Sequence, residues 1–356
     1  MKQDLQLVAV DVRAIDVGYY NTKYSLGRER SGDSNVIKTA TFSSLAPRVP
    51  MTQMTSATGV QGANAWLIAV NGVDYIVGPG AASQATGSEP RPVDDDYSTT
   101  DKYYALMLGA LNHMAETDRA GQDYLVRCLV LGLPLSTYAK HAAKLKAKMI
   151  GEHQIGRAAG PVVRKVIVED VKVMVQPHGA LVHRGAGNPH ALNGLNLVVD
   201  PGGGTLDWFV AKGTEANWAR SGAYPKAMLH CALAVAESIN KAWRNQFDIM
   251  EAIDEALRTS ADTFMVGPRE YSLESYRPAV DAVLEEAVKT MLEKTGPLDN
   301  ARQIIFVGGG APLFQEYMGR KFPELKPAMV VETNPVFTNL YGFQIAGELQ
   351  LRRART

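Results

Sequence analysis

The chain is short of nearly everything that would announce a specialised chemistry. It has two cysteines, Cys128 and Cys231, in 356 residues. Two thiols cannot build a disulfide framework or a four-cysteine zinc site, so a reduced, cytoplasmic protein is expected. Its seven histidines are scattered, and none stands at ligand spacing from a cysteine or carboxylate. Net charge is lacking too, since 37 basic side chains meet 37 acidic ones. Neutrality argues against direct wrapping of DNA or binding to an anionic membrane. The opening residues Met1 to Asp4 lack the basic stretch and apolar core of a secretory signal. No run approaches the ~20 apolar residues that span a bilayer. Walker A loops, His-Glu-x-x-His zinc helices and Gly-x-Ser-x-Gly nucleophile elbows are absent. Metal-hydrolase and Ser-His-Asp readings are therefore set aside.

What the chain does have is 46% hydrophobic residues and 32 glycines. Its length suggests two domains of ordinary size, each with a real core. Residues 5–17 read as a strand that 24–26 resume after a tight turn at Gly18. Residues 66–70 and 74–77 alternate across Asn71-Gly72, a hairpin signal. The spacing predicts helices over 103–114, 136–149, 229–243, 281–292 and 339–353, with buried strands at 125–131, 162–175, 195–199 and 304–307. Strands alternating with helices indicate an α/β fold. The Gly/Asn/Pro-rich break over 185–194 is the best domain boundary. Two features read as solvated surface: the acidic triplet Asp94-Asp95-Asp96 in the loop 81–100, and Lys140, Lys144, Lys146 and Lys148 on one helix.

The chemistry gathers at three strand ends. In the first, Asp16-Val17-Gly18-Tyr19-Tyr20-Asn21-Thr22-Lys23, a strand delivers a carboxylate and glycine lets the chain reverse. Amide groups of such a turn can point at an anion, and Lys23 is near enough to reach the same anion. A plain strand–turn–strand can also carry Asp-x-Gly. In the second, Asp200-Pro201-Gly202-Gly203-Gly204-Thr205-Leu206-Asp207, three glycines follow a buried strand directly. Phosphate binding is the preferred reading over a bare glycine hairpin. In the third, Val307-Gly308-Gly309-Gly310-Ala311-Pro312-Leu313, strand leads to helix, an arrangement suited to a nucleotide. The two halves each open with a strand, a carboxylate and a glycine, which hints at duplication.

In order and spacing these segments resemble the actin/Hsp70/sugar-kinase superfamily, and within it the ParM/StbA branch of plasmid-segregation actin-like ATPases. Asp16 to Lys23 resembles the first phosphate loop and Asp200 to Asp207 the second. Residues 129–138 are similar to the branch's Gly-Leu-Pro strand end and 171–180 to its connecting segment. Residues 307–313 resemble the adenosine motif, and 339–347 the returning C-terminal helix. The resemblance implies an actin-like (ribonuclease H-like) fold of duplicated α/β domains around a nucleotide cleft. It divides the chain into 1–190, 191–335 and a returning helix over 336–356.

Carried over by position, the resemblance implies that ATP or ADP with Mg2+ is the cofactor. Asp16 and Asp200 would be catalytic with Gln176, both holding the metal through its waters and Asp200 also the nucleophile water. Gly18, Asn21, Thr22 and Lys23 would bind one side of the phosphates, and Gly202, Gly203, Gly204 and Thr205 the other. Gly308, Gly309 and Gly310 would face the adenosine. Gln176 aligns with the residue that orients the attacking water; a simpler role for it is capping the strand before Pro177. A glutamine orients water but is a poor base, so slow hydrolysis is expected. Pro201 departs from the pattern by removing an amide donor. Residues 221–229 lack the usual glycines, which leaves preference for ATP over GTP open. The implied function is a filament-forming ATPase that partners itself and reaches plasmid DNA through an adaptor, with no direct DNA or membrane binding. A small-molecule kinase of the same superfamily and a weakly hydrolysing scaffold are the alternatives.

Overall fold

The computed structural model describes residues 7–32, 34–49, 64–84, 94–213 and 215–355. Part of the loop 81–100 lies outside them, as do the first residues of the strand expected from residue 5.

The first sheet grows from β1 (Val8–Val17), β2 (Asn21–Ser31) and β3 (Ser34–Ser43), a run of antiparallel neighbours. After the hairpin β4 (Trp66–Val70) and β5 (Val73–Val77) comes α1 (Asp101–Thr117), whose first turn is capped by the Thr100 hydroxyl accepting from the Tyr103 amide. Then β6 (Asp123–Leu133) lies parallel to β1; α2 (Leu135–Met149), β7 (Gly151–Gly156) and β8 (Val162–Val175) complete a six-stranded sheet of order β3-β2-β1-β6-β8-β7. The interior strands β1 and β6 are buried on both faces at their C-terminal ends, as expected of parallel strands covered by helices.

The second sheet repeats this plan. After α3 (Gln176–Gly187), strand β9 (Leu195–Pro201) pairs antiparallel with β10 (Leu206–Lys212), which pairs with β11 (Glu215–Ala216) and β12 (Gly222–Tyr224). Helices α4 (Met228–Ile239) and α5 (Phe247–Thr259) follow, then the hairpin β13 (Thr263–Val266) and β14 (Arg269–Ser272), and α6 (Arg277–Thr295). Strand β15 (Ala301–Phe306) lies parallel to β9, α7 (Ala311–Lys321) follows it, and β16 (Met329–Val331) closes the order β11-β10-β9-β15-β16. The last helix, α8 (Thr338–Arg355), returns to the first sheet.

Among the described residues, four of the apolar clusters hold the layers. The outer face of the first sheet packs on α1 and the β4–β5 hairpin through Ile15, Leu106, Leu111 and Leu129. The outer face of the second packs on α4 to α7 through Val199, Trp208, Cys231 and Phe314. The inner faces are covered by α8, through Leu340 and Phe343, and by α3, through Ala180 and Leu181. Where α3 and α8 cross there is no room for a side chain. A Cβ on Gly179 would strike the Asn339 backbone, and one on Gly342 would strike Gly179 itself.

Most expected elements stand where the apolar runs placed them. The helix expected over 229–243 differs, because α4 stops at Ile239. The Asn240 side chain then accepts from the Ala242 amide and starts a separate 3-10 turn, Lys241–Asn245. The break expected over 185–194 is partly helical, with α3 running to Gly187. No helix among the described residues is long and apolar enough to cross a membrane.

Candidate functional site

Strands β1 and β9 end at one cleft, and their turns are built alike. In the first, the Gly18 amide donates to the Asn21 carbonyl at 3.0 Å; in the second, the Gly202 amide donates to the Thr205 carbonyl at 2.9 Å. The amides of Tyr19, Gly203 and Gly204 reach no backbone acceptor among the described residues. Such turns leave donors available for an anion. The register sets Asp16 opposite Lys23 and Asp200 opposite Asp207. Gly308, at the end of β15, has φ +81° and lies so close to Asp200 Oδ1 and to the Pro201 carbonyl that a side chain is excluded. The Pro201 carbonyl also accepts from the Gly310 amide at 3.0 Å, which fastens the third glycine turn to the second.

Asp16 is 1% exposed and held twice. Lys23 Nζ lies 2.5 Å from its Oδ2, and Gln176 Nε2 donates to its Oδ1 at 2.5 Å. Burial alone would lower the Lys23 pKa, but the Asp16 carboxylate beside it raises it, with a further contribution from Asp200. Gln176 occupies the first position of α3, with Pro177 next, where a missing amide costs no helical bond. Asp200 is buried, and burial pushes its pKa up to about 7; Lys23 and the bond from Asn339 oppose this, while Asp207 and Asp16 add to it. Asp207, also buried, is pushed up to about 6 by burial, against the bonds it accepts from Thr205 Oγ1 (2.6 Å) and the Leu135 amide (2.8 Å).

The cleft encloses about 1000 Å³, part of it open to solvent. Of the expected site residues, Asp16, Gly18, Asn21, Lys23, Gln176, Asp200, Gly202, Gly203, Thr205, Gly308 and Gly309 line it. Thr22 lies elsewhere, fully buried with its hydroxyl 3.0 Å from that of Ser44. Gly204 is buried within its turn, and Gly310 packs against Met228 at the start of α7. The acidic triplet is exposed as expected, yet Asp94 and Asp95 also line the cleft mouth, and Asp96 pairs with Lys140 at 2.7 Å.

Motif reasoning missed a rim of aromatic residues. Tyr19 stacks on Tyr97 with ring centroids 5.1 Å apart, and Tyr97 meets Tyr103 edge-on. Burial, followed by the fields of Asp95, Asp207 and Asp94, pushes the Tyr19 phenol up to about 12, so it stays protonated as a donor. It also missed Asp254 and Arg258 on α5, paired at 2.9 Å at the end of the cleft near Gly309. For Asp207 there was a signal, since it follows Asp200 at the spacing by which Lys23 follows Asp16.

Three buried carboxylates, Asp16, Asp200 and Asp207, stand at this cleft with one half-buried lysine, Lys23, which pairs with Asp16 and acts on Asp200. Such an excess of acid suits a divalent cation and a polyphosphate better than a neutral ligand. Among the described residues no group of three His, Cys, Asp or Glu is placed to hold a metal directly. Magnesium held through waters and phosphate oxygens fits that donor set.

Comparison with protein families decides the lineage. Residues 14–179 match the family described as actin like proteins N terminal domain, and residues 198–319 the archaeal actin homologue MreB-like C-terminal domain. The chain belongs to the actin-like proteins. Solved structures agree over almost its whole length. The archaeal actin homolog Ta0583 is 20% identical with TM-score 0.70, over 96% of this chain and 100% of its own. A ParM filament protein from Clostridium botulinum is 16% identical with TM-score 0.71, covering 95% and 99%. The actin-like protein Alp7A is 13% identical with TM-score 0.71, covering 98% of both chains. At these identities the likeness is one of fold. No curated protein matches the chain. The two matched sheets are thus the duplicated α/β halves of an actin-like protein, with the candidate site in the cleft between them.

Proposed function

We propose that this actin-like protein is a nucleotide-dependent filament-forming ATPase, acting in the cytoplasm in plasmid DNA segregation through an adaptor. The observation that carries this reading is the pair of matching turns, each ending a strand in a buried aspartate and both opening on one cleft. Two such turns grip a polyphosphate from opposite sides, with amides and Lys23 facing its charge. Gly202, Gly203 and Thr205 lie on one side of the phosphates, and Gly18 and Asn21 on the other. Gly308 and Gly309 line the cleft on the side that would take the nucleoside. A bound magnesium ion supplies charge neutralisation on the phosphates, with Asp16 and Asp200 as the residues that hold its waters.

Gln176 donates to Asp16 through its nitrogen, which leaves its carbonyl oxygen to accept from an attacking water. A glutamine orients that water but is a poor base, so turnover is slow. Residues 1–190 and 191–335 act as the two bodies around the cleft, with 336–356 returning to the first. The supporting relatives are filament proteins by name, one from Clostridium botulinum described as a 15-stranded ParM filament and one as Alp12. The archaeal homolog is known in complex with ADP. Electron microscopy of the purified protein with ATP, with ADP and without nucleotide tests the reading. Filaments are expected with ATP and few or none with ADP. Isolated particles under all three conditions would overturn it.

A further inference from the structure

Besides Gln176, a second side chain reaches the buried carboxylates from outside all three glycine turns. Asn339, in the first turn of α8, is 4% exposed, and its Nδ2 donates to Asp200 Oδ2 at 2.6 Å. The helix that carries it packs on the first sheet, through Leu340, Phe343 and Ala346. Asp200 ends β9 in the second sheet. The bond therefore crosses from one half of the molecule to the other at the floor of the cleft.

The other donors nearby are committed elsewhere. Lys23 lies on Asp16, and the Thr205 hydroxyl donates to Asp207. Asp200 Oδ1 is pressed against Gly308, where no Cβ fits. One carboxylate oxygen is thus fixed by backbone contact and the other by Asn339. An aspartate without such partners has a broad, two-fold terminal torsion. The Asn339 Oδ1 is itself buried with no donor among the described residues. A side chain kept for filling space would not be an asparagine with an unmatched oxygen, because that oxygen is costly to bury.

Building on the proposed hydrolysis, we infer that Asn339 is a positioning residue that acts through Asp200, fixing the orientation of this carboxylate in the cleft. It is buried behind Asp200 and is not among the residues that line the cleft. Its contribution therefore falls on the chemical step more than on nucleotide affinity. It also ties the geometry of Asp200 to the position of α8, which the crossing at Gly179 and Gly342 holds in place.

The test is a double-mutant cycle in the full chain, with Asn339→Ala, Asn339→Asp, Asp200→Asn and the Asn339→Ala/Asp200→Asn double variant. Phosphate release from ATP gives kcat and KM separately. Asn339→Ala is expected to lower kcat about tenfold with KM within about threefold. Asn339→Asp keeps the shape but replaces the donor by a second acceptor, and should be worse than alanine. In the Asp200→Asn background, Asn339→Ala should add nothing. Additive effects, a loss confined to KM, or an Asn339→Asp variant that matches the parent would overturn the inference.

A second readout needs no hydrolysis. In nucleotide-free protein labelled with carboxyl-13C aspartate, the Asp200 resonance is assigned by its absence from Asp200→Asn. At fixed pH it should move or broaden in Asn339→Ala, and an unmoved resonance would overturn the inference. A parent chain that releases no phosphate while this resonance still moves would sink the proposed function and leave the positioning role standing.

Discussion

The two turns at the cleft are nearly superposable in design and opposite in electrostatics. Each ends a strand in aspartate and closes with a glycine amide on the carbonyl three residues later. In the first half the residue across the ladder is Lys23, which neutralises Asp16. In the second half that place is taken by Asp207, and burial, with Asp207 adding to it, pushes the Asp200 pKa up to about 7. The backbone plan was duplicated, and the charges on it diverged. One aspartate is pinned in place by a cation, while the other keeps an unmet demand for positive charge that a bound cation would satisfy. Divergence of this kind lets a symmetric scaffold treat the two sides of one ligand differently.

The largest effect should come from deleting the carboxylate on the unmatched side. Asp200→Ala is expected to lower phosphate release by roughly 10²- to 10³-fold, the scale set by removing one preorganised group from a transition state. Gln176→Ala, which acts beside the pinned aspartate, should cost less, about tenfold. A single-turnover phosphate assay measures both, and equal losses would erase the distinction between the sides.

Next comes the cation itself. Lys23→Met strands Asp16 in a buried site and should destabilise the nucleotide-free protein by about 3 kcal/mol in denaturant titration. A stability within experimental error of the parent would mean that Asp16 does not depend on its partner.

The smallest effect concerns Asp207. Its folded pKa of about 6 lies above the ordinary 3.8, so its contribution to stability is fully present below 3.8 and is lost as pH rises through 6. Asp207→Asn removes that loss. The variant should therefore gain on the parent between pH 4 and pH 7.5, by roughly 2 °C in melting temperature. A constant difference across that range would count against a raised pKa.

How much of this was legible in the sequence depended on where the signal was stored. Asp16, Asp200 and the glycine runs could be read because strand, carboxylate and turn are neighbours in the chain. The interior strands could be read because burial on both faces demands continuous apolar residues, as in β6 and β9. Strand β7, Gly-Glu-His-Gln-Ile-Gly, carries no such signature, since its place is fixed by pairing with β8. Edge strand β3, with polar residues interleaved along Ser34–Ser43, was hidden for the same reason. Asn339 was invisible as part of the site because its partner lies 139 positions away. The tyrosine rim joins Tyr19 to Tyr97 and Tyr103, and nothing in their separate segments hints that they meet.

The contact between Gly179 and Gly342 has a wider meaning. Gln176 stands one turn before the first of these glycines and Asn339 one turn before the second. Each therefore leads, within a single helical turn, from the crossing to a different aspartate. The bare backbone there works as a gauge block. Its thickness, with not even a methyl group inserted, sets how far apart the tips of the two helices stand. At these two positions the smallest substitution would throw the instrument out of calibration.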